Sequence, residues 1–287
     1  MTTPPPPLPA IIIDPIVKLA LAEDLGRAGD LTTDATIPPE TEMSVVIAAR
    51  DSGVIAGIDV AAHALKWIDP AVAFTVENGD GARVTSGDVV AKLSGKARSI
   101  LTAERTMLNF IGRLSGVATY TSKFADKIAH TKAKIVCTRK TTPGWRAIEK
   151  HAVRCGGGTS HRYGLDDAIL IKDNHIAACG GSVTTTLERA HAYAGHLRMI
   201  ELEVDTLAQL KTALESEHAP HAVLLDNMEP DTLRDAVKMI DGRCVAEASG
   251  GITLETVAAK AETGVDFISS GALTHSAPNF DVGMDAA

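Results

Sequence analysis

The chain has 287 residues, a formal net charge of −8 and a hydrophobic content of 45%, with only 3% aromatic residues. This length is sufficient for one barrel domain and a smaller second domain, and aliphatic side chains must fill most of the core. The acidic balance argues against a general nucleic-acid surface, and no apolar run is long enough to cross a bilayer.

Residues 1–10 read MTTPPPPLPA and lack the basic start and apolar centre of a signal peptide. We expect an extended or disordered Pro-rich arm over residues 1–12. The four cysteines are widely spaced and contain no C-x-x-C pair, so we expect reduced thiols, no zinc site and a cytoplasmic protein.

The next segment has the patterns of a small mixed domain. A helical period covers residues 16–25, and a polar turn follows in which Asp30 or Thr33 can cap local amides. Alternating residues over 42–56, a helix over 58–68 and short strands over 73–93 predict an antiparallel sheet. We therefore predict an N-terminal α+β domain over residues 13–116.

The longest helical pattern covers residues 98–124 and contains the predicted domain boundary. Its apolar residues form one stripe. Arg105 lies off this stripe, and its position alone indicates a solvated surface charge.

After Lys134 the chain alternates between strands and helices. The intervals from Glu201 to Asp226, Ser249 and Ser270 are 25, 23 and 21 residues, a regularity that β/α units require. We predict an incomplete α/β barrel of six or seven strands over residues 117–276. Residues 277–287 show little helix or strand character, and we expect this tail to pack on the N-terminal domain or to fray.

Residues 132–172 form a basic island, with nine Lys or Arg residues against three acids. Arg139 and Lys140 follow one predicted strand, His161 and Arg162 follow a glycine run, and Lys172 ends the next strand. Barrels place their chemistry at the carboxyl ends of strands, so this pattern favours a binding site for a small polyanion. The alternative is a set of solvated loop charges.

Acidic and small residues mark the later strand ends. Glu201 and Asp226 could hold Mg²⁺ with a phosphate, accept hydrogen bonds from ribose hydroxyls, or pair with cations. Two turns, residues 249–251 (SGG) and 270–272 (SGA), can present backbone amides to a phosphate, or can be plain turns. Together with the basic island, these features predict a phosphorylated sugar with a diphosphate leaving group and a second anionic substrate.

Several longer motifs resemble the quinolinate phosphoribosyltransferase family, from about Ile16 to the end of the chain. The motifs are residues 138–144 (TRKTTPG), 156–158 (GGG) with 161–162 (HR), 170–175 (LIKDNH), 104–106 (ERT) with Asn109, 201–205 (ELEVD), 225–227 (LDN) and 248–251 (ASGG).

This resemblance implies an open-sided, seven-stranded α/β barrel with an N-terminal sheet domain, and a homodimer with shared active sites in which Arg105 reaches the neighbouring site. It implies that quinolinate is bound by Arg105, Thr138, Arg139, Lys140, His161, Arg162 and Lys172. Glu201 and Asp226 would bind the ribose of phosphoribosyl pyrophosphate (PRPP) and Mg²⁺, directly or through other ligands. The phosphate would lie on Ser249, Gly250, Gly251, Ser270, Gly271 and Ala272.

Lys140, Lys172, Glu201 and Asp226 are the catalytic candidates, and no organic cofactor, nucleic-acid partner or membrane is expected. Three alternatives stay open: a related phosphoribosyltransferase for another anionic acceptor, such as the one associated with molybdate-transport operons, a non-catalytic anion sensor, and a generic sugar-phosphate barrel enzyme.

Overall fold

The computed structural model describes residues 5–287, and the chain divides into two compact units. The first unit extends to Ser122 and also includes residues 141–157 and 273–287. The second unit comprises residues 123–140 and 158–272. Residues 141–157, which the sequence analysis assigns to the barrel domain, thus group with the first unit.

The helices are α1 (Ala10–Leu25), α2 (Leu31–Thr36), α3 (Ile58–Ile68), α4 (Ala97–Ile128), α5 (Arg146–Cys155), α6 (Asp173–Ala178), α7 (Val183–Tyr193), α8 (Leu207–Glu215), α9 (Pro230–Ile240), α10 (Val257–Ala261) and α11 (Ala272–His275). The strands are β1 (Glu42–Ala49), β2 (Gly53–Val54), β3 (Ala73–Val76), β4 (Arg83–Val84), β5 (Val89–Lys96), β6 (Lys134–Val136), β7 (Ile169–Ile171), β8 (Ile200–Val204), β9 (Ala222–Asp226), β10 (Val245–Ser249), β11 (Phe267–Ser269) and β12 (Val282–Ala286).

An antiparallel sheet of order β12-β1-β5-β3 forms the first unit's framework. Helix α3 has the bounds that the sequence predicts, because Ile58, Ala61 and Leu65 recur on one buried face. Its N-cap, Gly57, has φ = +91°, and a Cβ there would lie 2.7 Å from a methyl carbon of Leu114. Glycine is therefore required at this close approach.

The C-terminal tail packs on the N-terminal sheet, the first of its two expected outcomes, but it does so as a strand, which the sequence does not predict. Residues 282–286 form β12, which pairs antiparallel with β1 in the register Val45↔Ala286. The sequence gives little sign of this strand because its residues, Val-Gly-Met-Asp-Ala, have weak strand propensity. Pairing with the edge of β1 supplies the hydrogen bonds that the propensity does not.

The N-terminal helix is longer than its sequence period indicates. α1 begins at Ala10, six residues before the predicted start, and buries Ile13, Val17 and Leu21 along one stripe. The last three residues of the predicted Pro-rich arm are thus helical. Residues 1–4 of that arm lie outside the described part of the chain.

The second unit contains a parallel sheet of order β6-β11-β10-β9-β8-β7. Among residues 5–287, β6 and β7 do not pair, so the sheet stays open on one side. The predicted open-sided α/β barrel with an N-terminal sheet domain is confirmed, with six strands rather than the seven that the resemblance implies. Thr159 makes one isolated parallel bridge to Val136 at the free side of β6, too short to count as a strand.

No helix in the described residues has both the length and the apolar character that a membrane span requires. α4 has 32 residues but is amphipathic. Its residues Ile100, Met107, Ile111 and Leu114 are buried on one side, whereas Arg105 is exposed on another.

Gly116 in α4 tests how closely the tail packs in the first unit. A Cβ at this position would lie 2.0 Å from the carbonyl oxygen of Pro278. Alanine is favoured over glycine in helices by about 1 kcal/mol, but overpacking costs about 1 to 3 kcal/mol, and this contact is with backbone. We expect Gly116→Ala to lower the free energy of unfolding by about 1 to 2 kcal/mol in urea titrations. Exposed Gly195, where a Cβ meets nothing within 4 Å, is the control, and Gly195→Ala should be neutral.

Candidate functional site

A cavity of about 390 Å³ lies at the carboxyl ends of the parallel strands in the second unit. Its lining residues are Thr138, Arg139, Lys140, His161, Arg162, Leu170, Lys172, Glu203, Leu224, Asp226, Glu247, Ser249 and Ser269. All six of the quinolinate-binding residues that the sequence analysis places in this unit therefore surround one volume.

Four cations from three separate segments line this cavity. Arg139 and Lys140 follow β6, Arg162 follows the short bridge at Thr159, and Lys172 follows β7. Burial, and next the nearby Arg139 guanidinium, lower the pKa of Arg162. An arginine side chain stays protonated in proteins despite such a shift, so the cavity keeps its positive charge.

Lys172 is held by an acid from the neighbouring strand. Its Nζ contacts Glu203 Oε2, and the Glu203 side chain is only 12% exposed. The backbone N–H of Lys172 donates to His175 Nδ1 at 3.0 Å, so His175 braces this loop. The lysine is therefore oriented at both its backbone and its ammonium group.

His161 lies above two buried carboxylates. Its Nε2 is 2.9 Å from Glu201 Oε2 and 3.7 Å from Glu247 Oε1, and both glutamates are less than 10% exposed. Burial, and secondly the Glu201 carboxylate, raise the pKa of Glu247 to about 7. His161, Glu201 and Glu247 thus form one compact group, in which one ligand atom from each residue lies within 4.8 Å of the others.

The predicted placement of Glu201 and Asp226 together at strand ends is wrong for Glu201. β8 continues to Val204, so Glu201 is its second residue, and its register partner on β9 is Ala222. Four residues separate Ala222 from Asp226, roughly 13 Å along a strand. Glu203, two residues further along the same face of β8, lines the cavity instead.

Asp226 ends β9 and lies beside the first small-residue turn. Its Oδ2 accepts a hydrogen bond from Asn227 Nδ2 at 2.6 Å, and the N–H of Asn227 donates to the carbonyl of Ser249 at 3.0 Å. A Cβ at Gly250 would lie 2.0 Å from Asn227 Oδ1, so only glycine fits there. Lys260 supports the turn from below, because its buried Nζ donates to the carbonyls of Met228 and Gly250.

The second small-residue turn differs from its prediction. Ser269 lines the cavity, whereas Ser270 is buried and its N–H donates to the carbonyl of Val136. Among the described residues, neither Gly271 nor Ala272 lines the cavity, and the same holds for Gly250 and Gly251. Strand alternation explains why Ser269 and not Ser270 faces the cavity, since Phe267, two residues before Ser269, is paired with Glu247, which also lines the cavity.

Arg105 belongs to the first unit. It is exposed on α4 and lines a separate cavity of about 340 Å³. Asp30 lies in the same lining and caps α2 by accepting a hydrogen bond from the N–H of Thr33, as the sequence predicts.

Sequence reasoning missed Glu247, Ser269 and Lys260 as site residues. Glu247 had a detectable signal: it is an acid inside an otherwise small and apolar strand (VAEAS), two residues before Ser249 and therefore on the same face. Lys260 had no such signal, because a lysine on a helix is ordinarily exposed.

The raised pKa of Glu247 predicts a pH-dependent stability. This pKa is about 7 in the folded protein against 4.5 for an ordinary glutamate, so folding favours the protonated form. The associated stability is present below about pH 4.5 and is lost as the pH rises through about 7. We expect wild type to lose about 1 to 3 kcal/mol relative to Glu247→Gln between about pH 5 and about pH 8, measured by urea unfolding. The exposed Glu217→Gln should show no such difference, and parallel profiles for all three proteins would contradict the assignment.

Comparison with known proteins agrees across both units. The family models described as quinolinate phosphoribosyl transferase, N-terminal domain and C-terminal domain match residues 30–115 and 117–285. The nicotinate-nucleotide pyrophosphorylase [carboxylating] of Mycobacterium leprae is 46% identical, over 94% of this chain and 95% of that protein. The chloroplastic enzyme of the same name from Arabidopsis thaliana is 41% identical, over 98% of this chain and 84% of that protein.

A crystal structure of NadC from Streptococcus pyogenes superimposes with a TM-score of 0.93 at 39% identity and covers 98% of both chains. Both domain models, the identity to full-length relatives and the shared fold lead to one conclusion: the chain belongs to the quinolinate phosphoribosyltransferase family.

Proposed function

We propose that this chain transfers the phosphoribosyl group of PRPP to quinolinate with decarboxylation, giving nicotinate mononucleotide, diphosphate and CO₂ in the de novo synthesis of NAD. Relatives that cover nearly the whole chain are named for this reaction. The observation that supports it most directly is the convergence of Arg139, Lys140, Arg162 and Lys172 on one cavity.

The cationic side of the cavity fits quinolinate. This pyridine has carboxylates on two adjacent carbons, and each needs a cationic hydrogen-bond donor when it leaves water. Two carboxylates about 4 Å apart repel by roughly 4 kcal/mol at an effective dielectric of 20, so a neutral cavity would reject the dianion. Guanidinium groups from Arg139 and Arg162, with the ammonium of Lys140, offset that repulsion and fix the ring's orientation.

The carboxylates and hydroxyls of the same lining fit the sugar phosphate. Asp226 and Glu203 carry carboxylates that accept hydrogen bonds from ribose hydroxyls, and Ser249 and Ser269 carry hydroxyls that donate to phosphate. Glu201 lies deeper, against His161, so we assign it a role in orienting the imidazole rather than a direct contact with ribose.

Mg²⁺ fits this site at Asp226. The carboxylate faces the cavity at a strand end, and Mg²⁺ is commonly held by one or two carboxylates together with substrate phosphates. Bound there with the diphosphate, Mg²⁺ would offset the charge of the leaving group. Glu201 does not fit as a second ligand of this ion. It pairs with Ala222, four residues before Asp226 on β9, and its carboxylate is hydrogen-bonded to His161.

The protein's own residues then position and stabilise the reacting groups. Holding quinolinate by its carboxylates places the ring nitrogen in line with C1 of the ribose, which gains positive character as the diphosphate leaves. The nitrogen forms the new bond to C1, and the C1–O bond to diphosphate breaks. The C2–carboxylate bond then breaks, CO₂ departs, and the positive charge of the adjacent pyridinium nitrogen stabilises the electron pair that remains on C2. A proton from solvent bonds to C2 in place of the carboxylate. Lys140 and Lys172 are the cations we assign to the charge that develops in these steps.

We further propose a homodimer in which Arg105 of one subunit completes the neighbouring site. Arg105 is exposed in the first unit and lines the separate cavity of that unit. It is not among the residues that line the cation-rich cavity of the second unit. An exposed arginine next to a cavity of its own is suited to reach an anion held by a second copy. The cytoplasmic location stays a prediction from the sequence.

One assay tests the reaction. Purified protein with quinolinate, PRPP and Mg²⁺ should release CO₂ and diphosphate in equal amounts. Nicotinate, which lacks the carboxylate at C2, should be a poor acceptor. An anion sensor would release neither product, and a transferase for another acceptor would release diphosphate only with that acceptor.

Removing single cationic side chains tests the proposed quinolinate-binding residues. We expect Lys140→Ala or Arg162→Ala to lower kcat/KM at least about 100-fold while the protein stays folded, because each removes a charge-assisted contact to a buried dianion. Lys132→Ala is the control, since Lys132 is in the same basic stretch but pairs with Asp266 at the surface. Full activity in either cavity variant would refute the assigned site.

Mixed dimers test the shared site. Arg105→Ala and Lys172→Ala should each be inactive alone. After subunit exchange, half of the dimers are hybrids, and each hybrid has one intact site, so about one quarter of wild-type activity should return. Failure to regain activity, when mass spectrometry shows that hybrids have formed, would argue that Arg105 acts within its own subunit or not at all.

A further inference from the structure

A second cluster of metal-ligating side chains lies in the first unit, outside the cation-lined cavity. Asp80, His151 and Cys155 each offer one ligand atom, and these atoms all lie within 4.8 Å of one another. The shortest separation is 2.8 Å, between His151 Nε2 and Asp80 Oδ2. In a tetrahedral Zn²⁺ site with nitrogen, oxygen and sulfur ligands, neighbouring ligand atoms lie about 3.3 to 3.8 Å apart. Small side-chain movements would therefore bring these three atoms to the separations that Zn²⁺ requires.

Local structure holds all three residues in place. His151 and Cys155 are four residues apart on α5, which puts both side chains on one face of the helix. Asp80 is in the turn between β3 and β4, and its Oδ1 accepts a hydrogen bond from the N–H of Ile58. The cluster therefore joins two segments that are distant in sequence, and Asp80 connects both to the start of α3 through Ile58.

The His151 imidazole provides an independent indication of a ligand. The residue is 5% exposed, and its Nδ1 is buried without a hydrogen-bond partner, while Nε2 pairs with Asp80. A buried ring nitrogen without a partner is costly. A metal ion between Nε2 and Asp80 Oδ2 would replace the hydrogen bond that joins them, whereas a metal ion on Nδ1 would leave Asp80 as the carboxylate that orients the imidazole.

The charges around the cluster also favour a cation. Asp59 lies at the start of α3, next to Ile58, whose N–H donates to Asp80 Oδ1. Two carboxylates in a partly buried space repel each other, and a divalent cation would relieve that repulsion.

We propose that Asp80, His151 and Cys155 form a binding site for a thiophilic divalent cation, with Zn²⁺ as the reference ion. One carboxylate, one imidazole and one thiolate are a ligand set suited to Zn²⁺ or Co²⁺, with a fourth position open to water or to Asp59. Binding would replace the Cys155 thiol proton, which passes to solvent. The site is structural: it ties α5 to the turn before β4.

This inference revises the expectation of no zinc site. That expectation depended on the lack of a C-x-x-C pair, whereas these ligands come from a turn and a helix about 70 residues apart in sequence. The spacing of His151 and Cys155 within AIEKHAVRC was visible, but their acidic partner was not.

Cobalt substitution tests the proposal on the full chain. Chelator-treated protein should bind one equivalent of Co²⁺ and show the charge-transfer absorption of a Co²⁺–thiolate bond, which Zn²⁺ then displaces. At free Zn²⁺ about 100 times the dissociation constant, Tm should rise by about 5 °C. Cys155→Ser should abolish the absorption and weaken Zn²⁺ binding at least about 100-fold.

Matched controls separate this site from others. Cys179→Ser makes the same change at a half-buried thiol beside Arg189 and should leave the absorption intact. Clusters without a thiol, such as His161 with Glu201 and Glu247 or the grouped rings of His191, His218 and His221, cannot produce a thiolate band. Should Cys155→Ser fold poorly, Asp80→Asn is the second variant and should weaken Zn²⁺ at least about tenfold. No thiolate band in wild type, or a band unchanged in the Cys155 or Asp80 variant, would overturn the proposal.

Discussion

Concentrated positive charge around one cavity is the constraint on which the rest of the site depends. Arg139, Lys140, Arg162 and Lys172 must stay close together without a substrate present, although like charges about 4 Å apart repel by roughly 4 kcal/mol at an effective dielectric of 20. The parallel sheet relieves part of this repulsion by carrying Glu203 to Lys172. Glu247, whose pKa is about 7, adds little negative charge in slightly acidic solution. A dianionic substrate therefore completes a charge balance that the protein alone leaves positive.

The structural features that could be predicted from the sequence are those determined by local residue patterns or by a regular repeat along the chain. The helix over residues 58–68 was predictable because its apolar period and its glycine cap agree. The strands from β8 to β11 were predictable because β/α units repeat at nearly constant length. The cation cluster was predictable because the carboxyl ends of parallel strands share one edge, so residues that are distant in sequence but alike in position must meet.

The parts it did not reach depend on partners. A strand end cannot be located to better than a few residues from propensity, and that uncertainty alone moved Glu201 from the cavity edge to a deeper position under His161. β12 exists because β1 offers a free edge, and Lys260 is buried because two backbone carbonyls receive its ammonium. Neither the free edge of β1 nor these carbonyl partners can be recognised from the local sequence of β12 or of Lys260. The weak strand propensity of the tail and the charge of the lysine each point the opposite way.

The pairing of β12 with β1 has a consequence for how the chain folds as it is synthesised. All six strands of the second unit precede residue 270, whereas the first unit's sheet lacks an edge strand until residues 282–286 are made. Until residues 282–286 pair with it, β1 has an open edge, and open edges recruit other strands. The unit that begins the chain is thus completed by its last strand, and its sheet is protected at that edge only once β12 has paired with β1.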